Sequence, residues 1–127
     1  MCNKLHSDSQ PIPAEGVGYK IFRSGPPLLP MCSGLSYIED INGWIKWGIG
    51  NIFSKMPTSG FCFFLDIEEA RRCLQIWIRE TRDSPNWYVI EKINYKRGIG
   101  THQEAEMCDE GAFQIALCKE FQICPRE

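Results

Sequence analysis

Apolar and polar positions over residues 60–122 predict a strand, a capped helix, a strand, a polar hairpin and a last strand. Residues 61–65 are a near-continuous apolar run, the composition of a strand covered on both faces. Asp66 follows as a helix N-cap, with Glu69 three residues on as the partner of a capping box. Ile67, Ala70, Cys73, Leu74, Trp77 and Ile78 then recur at helical spacing and form one apolar stripe, which predicts a helix over about 66–80. Arg71, Arg72, Gln75 and Arg79 face away from that stripe, and Glu68 is in reach of Arg71 and Arg72. These arginines read as a solvated helix face rather than a binding site. Asp83-Ser-Pro-Asn86 is a turn that ends the helix.

The other elements follow from alternation. In residues 17–23, Val17, Tyr19, Ile21 and Arg23 share one face of a first strand, with Lys20 and Phe22 on the other. Ser24-Gly-Pro-Pro-Leu-Leu-Pro30 breaks regular structure, because proline removes ladder donors, and opens a long loop over residues 25–42. Trp44-Ile-Lys-Trp-Gly-Ile49 admits a short strand or a packed loop, with its two tryptophans closing one end of the core. In residues 87–95, Trp87, Val89, Ile93 and Tyr95 share a face that Glu91 interrupts. Lys96-Arg-Gly-Ile-Gly100 reads as a glycine turn, and residues 101–107 as a polar strand. Phe113, Ile115, Leu117, Phe121 and Ile123 alternate in a last strand, with a bulge expected at Lys119. The sum is an α+β fold: a twisted antiparallel or mixed sheet of five to six strands with one main helix packed on it. Residues 1–127 make a single domain, and residues 1–16, with Gln10-Pro-Ile-Pro13, read as a loose N-terminal arm.

Composition narrows the function classes. An apolar share of 43% with 24% charged residues is that of a folded chain. The net charge of −2 disfavours sequence-independent nucleic-acid binding, which needs a basic face, and so disfavours contact through Lys92, Tyr95, Lys96 and Arg97. No apolar run approaches the ~20 residues of a membrane span, and the N-terminus lacks a signal-peptide pattern. These features predict a cytoplasmic protein with no membrane partner. Seven cysteines without a CxxC spacing then read as reduced thiols, with Cys62, Cys73 and Cys118 packed in the core.

Candidate chemistry is sparse. His102 with Cys108 has the residue types of a nucleophile and base. Cys2 with His6 resembles half a zinc site that Cys32 or Cys108 would have to complete; no metal is expected. Lys96-Arg-Gly-Ile-Gly100 offers backbone N–H groups to an anion, but a hairpin turn that merely needs glycine is the preferred reading.

Three elements in chain order carry a resemblance: Tyr19-Lys-Ile-Phe-Arg23, Thr58-Ser59-Gly-Phe-Cys-Phe63 and Gln103-Glu-Ala-Glu106. In these the chain resembles small ADP-ribosyltransferase-like proteins of the arginine-serine-glutamate group. The resemblance implies that Arg23 holds the pyrophosphate of NAD, Ser59 braces the nicotinamide pocket, and Glu104 and Glu106 orient the acceptor and stabilise oxocarbenium charge. Without that role, Glu104 and Glu106 read as a solvated strand edge. The leading expectation is non-enzymatic and needs no cofactor. Length and composition resemble those of small phage or mobile-element proteins, which suggests a protein-binding module that inhibits a host defence system. Its contact surface would be the segment 25–56, with Trp44, Trp47 and Phe53 as anchors for a protein partner. The oligomeric state is left open.

Overall fold

The computed structural model describes residues 9–23, 29–30, 43–47, 60–104 and 113–125. They form the expected α+β fold, a single six-stranded sheet with one α-helix among the described residues. The strands are β1 (Glu15–Arg23), β2 (Leu29–Pro30), β3 (Ile45–Lys46), β4 (Phe61–Phe63), β5 (Tyr88–Glu104) and β6 (Phe113–Ile123). Helix α1 spans Ile67–Thr81. All pairings are antiparallel, in the order β2-β1-β5-β6-β3, with β4 also on β6.

The sheet closes on itself. Just beyond β4, Phe64 exchanges both backbone hydrogen bonds with Tyr19 of β1, each at 2.7 Å. Strands β1, β5, β6 and β4 therefore make a ring of pairing, which has an inside and an outside. Phe22, Phe61, Phe63, Ile93, Tyr95, Ala116, Cys118 and Phe121 fill the inside together with Ile45. On the outside, Ile21, Cys62, Phe64, Phe113, Ile115 and Leu117 pack against Ala70, Cys73 and Ile76 of α1. The apolar run of β4 follows from this, since Phe61 and Phe63 point into the ring while Cys62 and Phe64 meet the helix side.

Helix α1 begins as the sequence predicts. Asp66 accepts from the Glu68 N–H at 2.9 Å. Glu69 is held by Arg72 at 3.1 Å rather than closing a capping box, and Arg71 pairs with Glu68 at 2.5 Å. The Arg72 guanidinium also lies 4.3 Å from the Phe113 ring centroid, so one of the expected solvent-facing arginines belongs to the helix–sheet seam. Ile76, outside the expected stripe, is buried with Ala70 and Cys73. The helix stops where Arg82 turns left-handed at φ 60° and donates its N–H to the Ile78 carbonyl.

Several expectations are corrected. Residues 9–16 are not a loose arm: Gln10 and Thr101 exchange two 2.8 Å backbone hydrogen bonds, Ala14 accepts from Gly98, and β1 begins at Glu15. Gly98 permits this contact, because a Cβ there would stand 2.4 Å from the Pro13 carbonyl oxygen. Lys96-Arg-Gly-Ile-Gly100 is not a turn. Strand β5 runs through it, with the register shift at Gly98–Gly100. Residues 24–30 do not exclude strand, since Leu29–Pro30 pairs with Phe22 and Arg23 at an edge where proline's missing N–H is tolerated. Trp87 lies in a 3-10 turn before β5 and is 52% exposed. Strand β6 does not keep one face: Phe113, Ile115 and Leu117 meet the helix side, whereas Phe121 and Ile123 join the inner core. Ala116 and Cys118 also lie in the inner core, so the alternation of β6 breaks between Cys118 and Phe121, beside the left-handed Arg97 of β5.

Candidate binding face

Helix α1 covers only part of the outer surface of β1 and β5. Tyr19, Ile21, Tyr88 and Ile90 belong to the core beneath it. The same alternation continues along those strands to Val17 and Glu15, and to Lys92, Asn94 and Lys96. Register adds Gln122 opposite Asn94 and Glu120 opposite Lys96 on β6, and Lys46 opposite Glu120 on β3. Trp44 joins this outer face, with the Lys96 Nζ 4.2 Å from its ring centroid. Among the described residues, two concavities mark this face. A cleft of about 710 Å³ runs between Tyr19, Ile67, Ile90, Lys92 and Cys124. A shallower groove of about 350 Å³ is lined by Val17, Trp44, Asn94, Tyr95 and Lys96. Val17, in that groove, is 45% exposed. Both volumes fall in the range of binding clefts.

The two tryptophans part company. Trp47 packs edge-on against Phe61, with ring centroids 5.0 Å apart, and closes the inner core. Its Nε1–H is enclosed without an acceptor among the described residues. Trp44 alone serves the outer face. Phe53, the third expected anchor, lies outside the described residues.

Of the residues singled out for ADP-ribosyl transfer, Arg23 and Glu104 are among the described ones, and they stand apart. Arg23 is exposed and pairs with Tyr88, the first residue of β5, whereas Glu104 is the last residue of the same strand. That strand has 17 residues, and at about 3.3 Å per residue its straight length is on the order of 50 Å. Arg23 and Glu104 therefore occupy opposite ends of β5. Ser59 and Glu106 lie outside the described residues. Arg23 instead neighbours a polar knot at the end of α1. There the Tyr88 hydroxyl accepts from Trp77 Nε1–H at 2.8 Å and donates to Asp83. Burial first, and then Asp83, push the Tyr88 hydroxyl above its ordinary pKa, against the opposing pull of the Trp77 hydrogen bond and the Arg23 charge. This knot fixes the end of the helix to β5.

Of the other candidate nucleophile, base and metal residues, only His102 is among the described ones. His102 is buried within β5, and Cys2, His6, Cys32 and Cys108 lie outside the described residues. Among the described residues no group of three or more His, Cys, Asp or Glu is placed to hold a metal. No described helix is long and apolar enough to cross a membrane.

Two buried charges escaped the sequence reading. Lys20 is 7% exposed, Glu91 is 8% exposed, and the two stand in register on β1 and β5. The Lys20 Nζ donates to the Cys62 carbonyl at 2.6 Å and lies 5.9 and 5.8 Å from the Phe22 and Phe121 ring centroids. The available signals were Glu91 breaking an apolar face and Lys20 sharing the face of Phe22.

Cys62, Cys73 and Cys118 are buried thiols outside any disulfide, as expected; Cys124 is a half-buried thiol, also outside any disulfide. Burial pushes the Cys118 thiol up to about 12, although the Lys20 cation opposes it. Thiolate is the reactive form, so iodoacetamide at neutral pH is expected to label Cys124 well before Cys118, as read by peptide mass mapping. Equal labelling would show that the inner core opens. From its ordinary value of 9.0 to about 12, the unfolded thiol loses its proton while the folded one keeps it, so stability falls as pH rises through that window. No family model, curated protein or solved structure matches the chain.

Proposed function

We propose that this protein is a binding module for another protein, and that the outer face beyond α1 is its contact surface. The observation that supports it is the groove of Val17, Trp44 and Lys96. Trp44 sits half-buried beneath the Lys96 cation, with the half-exposed Val17 beside the same groove. Tryptophan is enriched among residues that dominate interface energies, and an aromatic already fixed by its neighbours loses little freedom on binding. The sheet beneath is held by the pairing of β1, β5 and β6, so the face is presented rigidly. A module of this kind inhibits by occupying a surface that its target needs. That is the role suggested by the likeness in size to phage and mobile-element proteins acting on a host system.

The test is the affinity of a captured partner for the wild type and for Trp44→Ala. Truncating a central anchor costs about 2 kcal/mol or more, which is roughly thirtyfold in Kd. Trp44→Phe is expected to retain most of the binding, because an aromatic ring still fills the groove. Thermal unfolding should leave Trp44→Ala folded. A partner held equally by wild type and Trp44→Ala would remove this reading.

A further inference from the structure

The ring of pairing is split at one place. Phe64 exchanges both backbone hydrogen bonds with Tyr19, and the chain then leaves the sheet, where Asp66 caps α1. Strand β1 extends past that point toward its N-terminal end, through Gly18, Val17 and Gly16 to Glu15, all in register with β5. Successive residues of an antiparallel strand turn their backbone N–H and C=O groups to opposite edges. Tyr19 turns its pair away from β5, so Val17 and Glu15 turn theirs to that same side. Among the described residues no strand pairs with them there. Glu15, Gly16 and Val17 are all exposed.

The side chains around the split add a second, independent observation. Among the described residues three large apolar side chains are exposed: Val17 at 45%, Leu65 at 39% and Trp87 at 52%. Two of the three flank the split, because Leu65 follows Phe64 and Val17 stands two residues before Tyr19, the bridge partner of Phe64. The groove beneath Trp44 is lined by the same Glu15, Gly16 and Val17. Open edges are ordinarily guarded by lysine, proline or a covering loop, whereas the centre of this one is Gly16-Val17-Gly18.

We propose that the protein partner adds a strand to this edge: an extended segment, apolar at alternate positions, pairs with residues 15–17 and continues the line that β4 leaves at Phe64. This rests on the binding-module reading and names the form in which the partner is recognised. Main-chain hydrogen bonds supply the affinity of such an added strand, and the side chains beside it select its sequence. A partner residue opposite Val17 stands on the same face of the sheet as Val17, beside the Trp44 groove. A second copy of this chain fits less well, because an antiparallel self-pair that joins the two edge-facing residues sets Val17 against the carboxylate of Glu15.

Fluorescence anisotropy with the full chain and a labelled peptide alternating valine and threonine, with lysines at its ends for solubility, tests the proposal. The peptide is expected to bind with its valines opposite Val17 and Glu15 and the valine N–H groups turned to β1. Methylating the valine nitrogens should cost about tenfold in affinity, whereas methylating the threonine nitrogens, which face away, should cost less than about threefold. A segment held by side chains alone would not separate the two. Val17→Pro removes the edge donor where a sheet tolerates proline; it should also lose about tenfold while still unfolding cooperatively. Val17→Thr keeps the donor and the branched side chain and should stay within about threefold. The proposal fails if the peptide does not bind, if the two methylated peptides bind equally, or if the free chain sediments as a dimer that Val17→Pro breaks, which would give the edge to a second copy. Should it fail while Trp44→Ala still releases a captured partner, the binding module stands and only its seat on β1 is lost.

Discussion

Replacing Lys20 with alanine is expected to destabilise the protein by about 3–5 kcal/mol. The ammonium lies inside the ring at 7% exposure and holds the Cys62 carbonyl at 2.6 Å, tying β1 to β4 across the interior. Its register partner Glu91 is 8% exposed on the neighbouring strand. Removing the cation leaves a carboxylate in a poorly solvated interior and takes a donor from a carbonyl, and both changes act in the same direction. Domain stabilities of about 5–15 kcal/mol make this a large fraction of the total. Lys20→Met keeps the aliphatic stem and removes only the charge, so its difference from alanine isolates the packing contribution. Glu91→Gln removes the opposite charge. The double variant Lys20→Met with Glu91→Gln should be more stable than the two single effects added together predict, by about 0.5–3 kcal/mol, if the charges interact. Urea unfolding with an unchanged m-value is the measurement. A Lys20→Ala cost below about 1 kcal/mol, or a strictly additive double variant, would show that the pair does not support the ring.

The helix was legible because its cause is local. Asp66 and the spacing of Ala70 and Cys73 belong to neighbouring turns, and tertiary packing only adds Ile76. Strand β4 was legible as doubly buried, but not the reason, which is a ring closed between Phe64 and Tyr19. Alternation describes one strand against one flat face and cannot show β6 passing between two cores. The glycines at 98 and 100 are those of a turn, yet here they serve a register shift and the close approach of Pro13. Of the site residues, the division of Trp44 from Trp47 was implicit in period two, since Ile45 and Trp47 share a side. Register was not implicit: Lys20 meets Glu91 through a pairing between distant segments. Chain order likewise could not show that Arg23 and Glu104 stand at the two ends of β5.

Phe121 is the side chain at which the strands of the ring meet, and Phe121→Ala is expected to cost about 3–5 kcal/mol. It is fully buried. Its ring meets Phe61 of β4 edge-on, with centroids 4.9 Å apart, and tilts against Phe22 of β1 at 6.0 Å. Its backbone stands in register with Ile45 of β3 and Tyr95 of β5. The cost combines the transfer of an aromatic ring with a cavity that a closed ring cannot collapse to fill. Phe121→Leu leaves a smaller void and should cost about half as much. The loss should fall unevenly. Strand β3 is held by two residues on β6, and by the Trp47 N–H donating to the Lys119 carbonyl at 2.7 Å. Amide exchange at Trp47 should therefore accelerate in Phe121→Ala more than exchange in α1. Because β3 also positions Trp44 above the outer groove, partner affinity should fall in this variant although Phe121 never reaches that face. Trp44→Ala should lose affinity without losing stability, which separates the anchor from its support. A Phe121→Ala protein within about 1 kcal/mol of wild type, or one that keeps slow exchange at Trp47, would mean that the inner aromatic cluster does not hold the binding face in place.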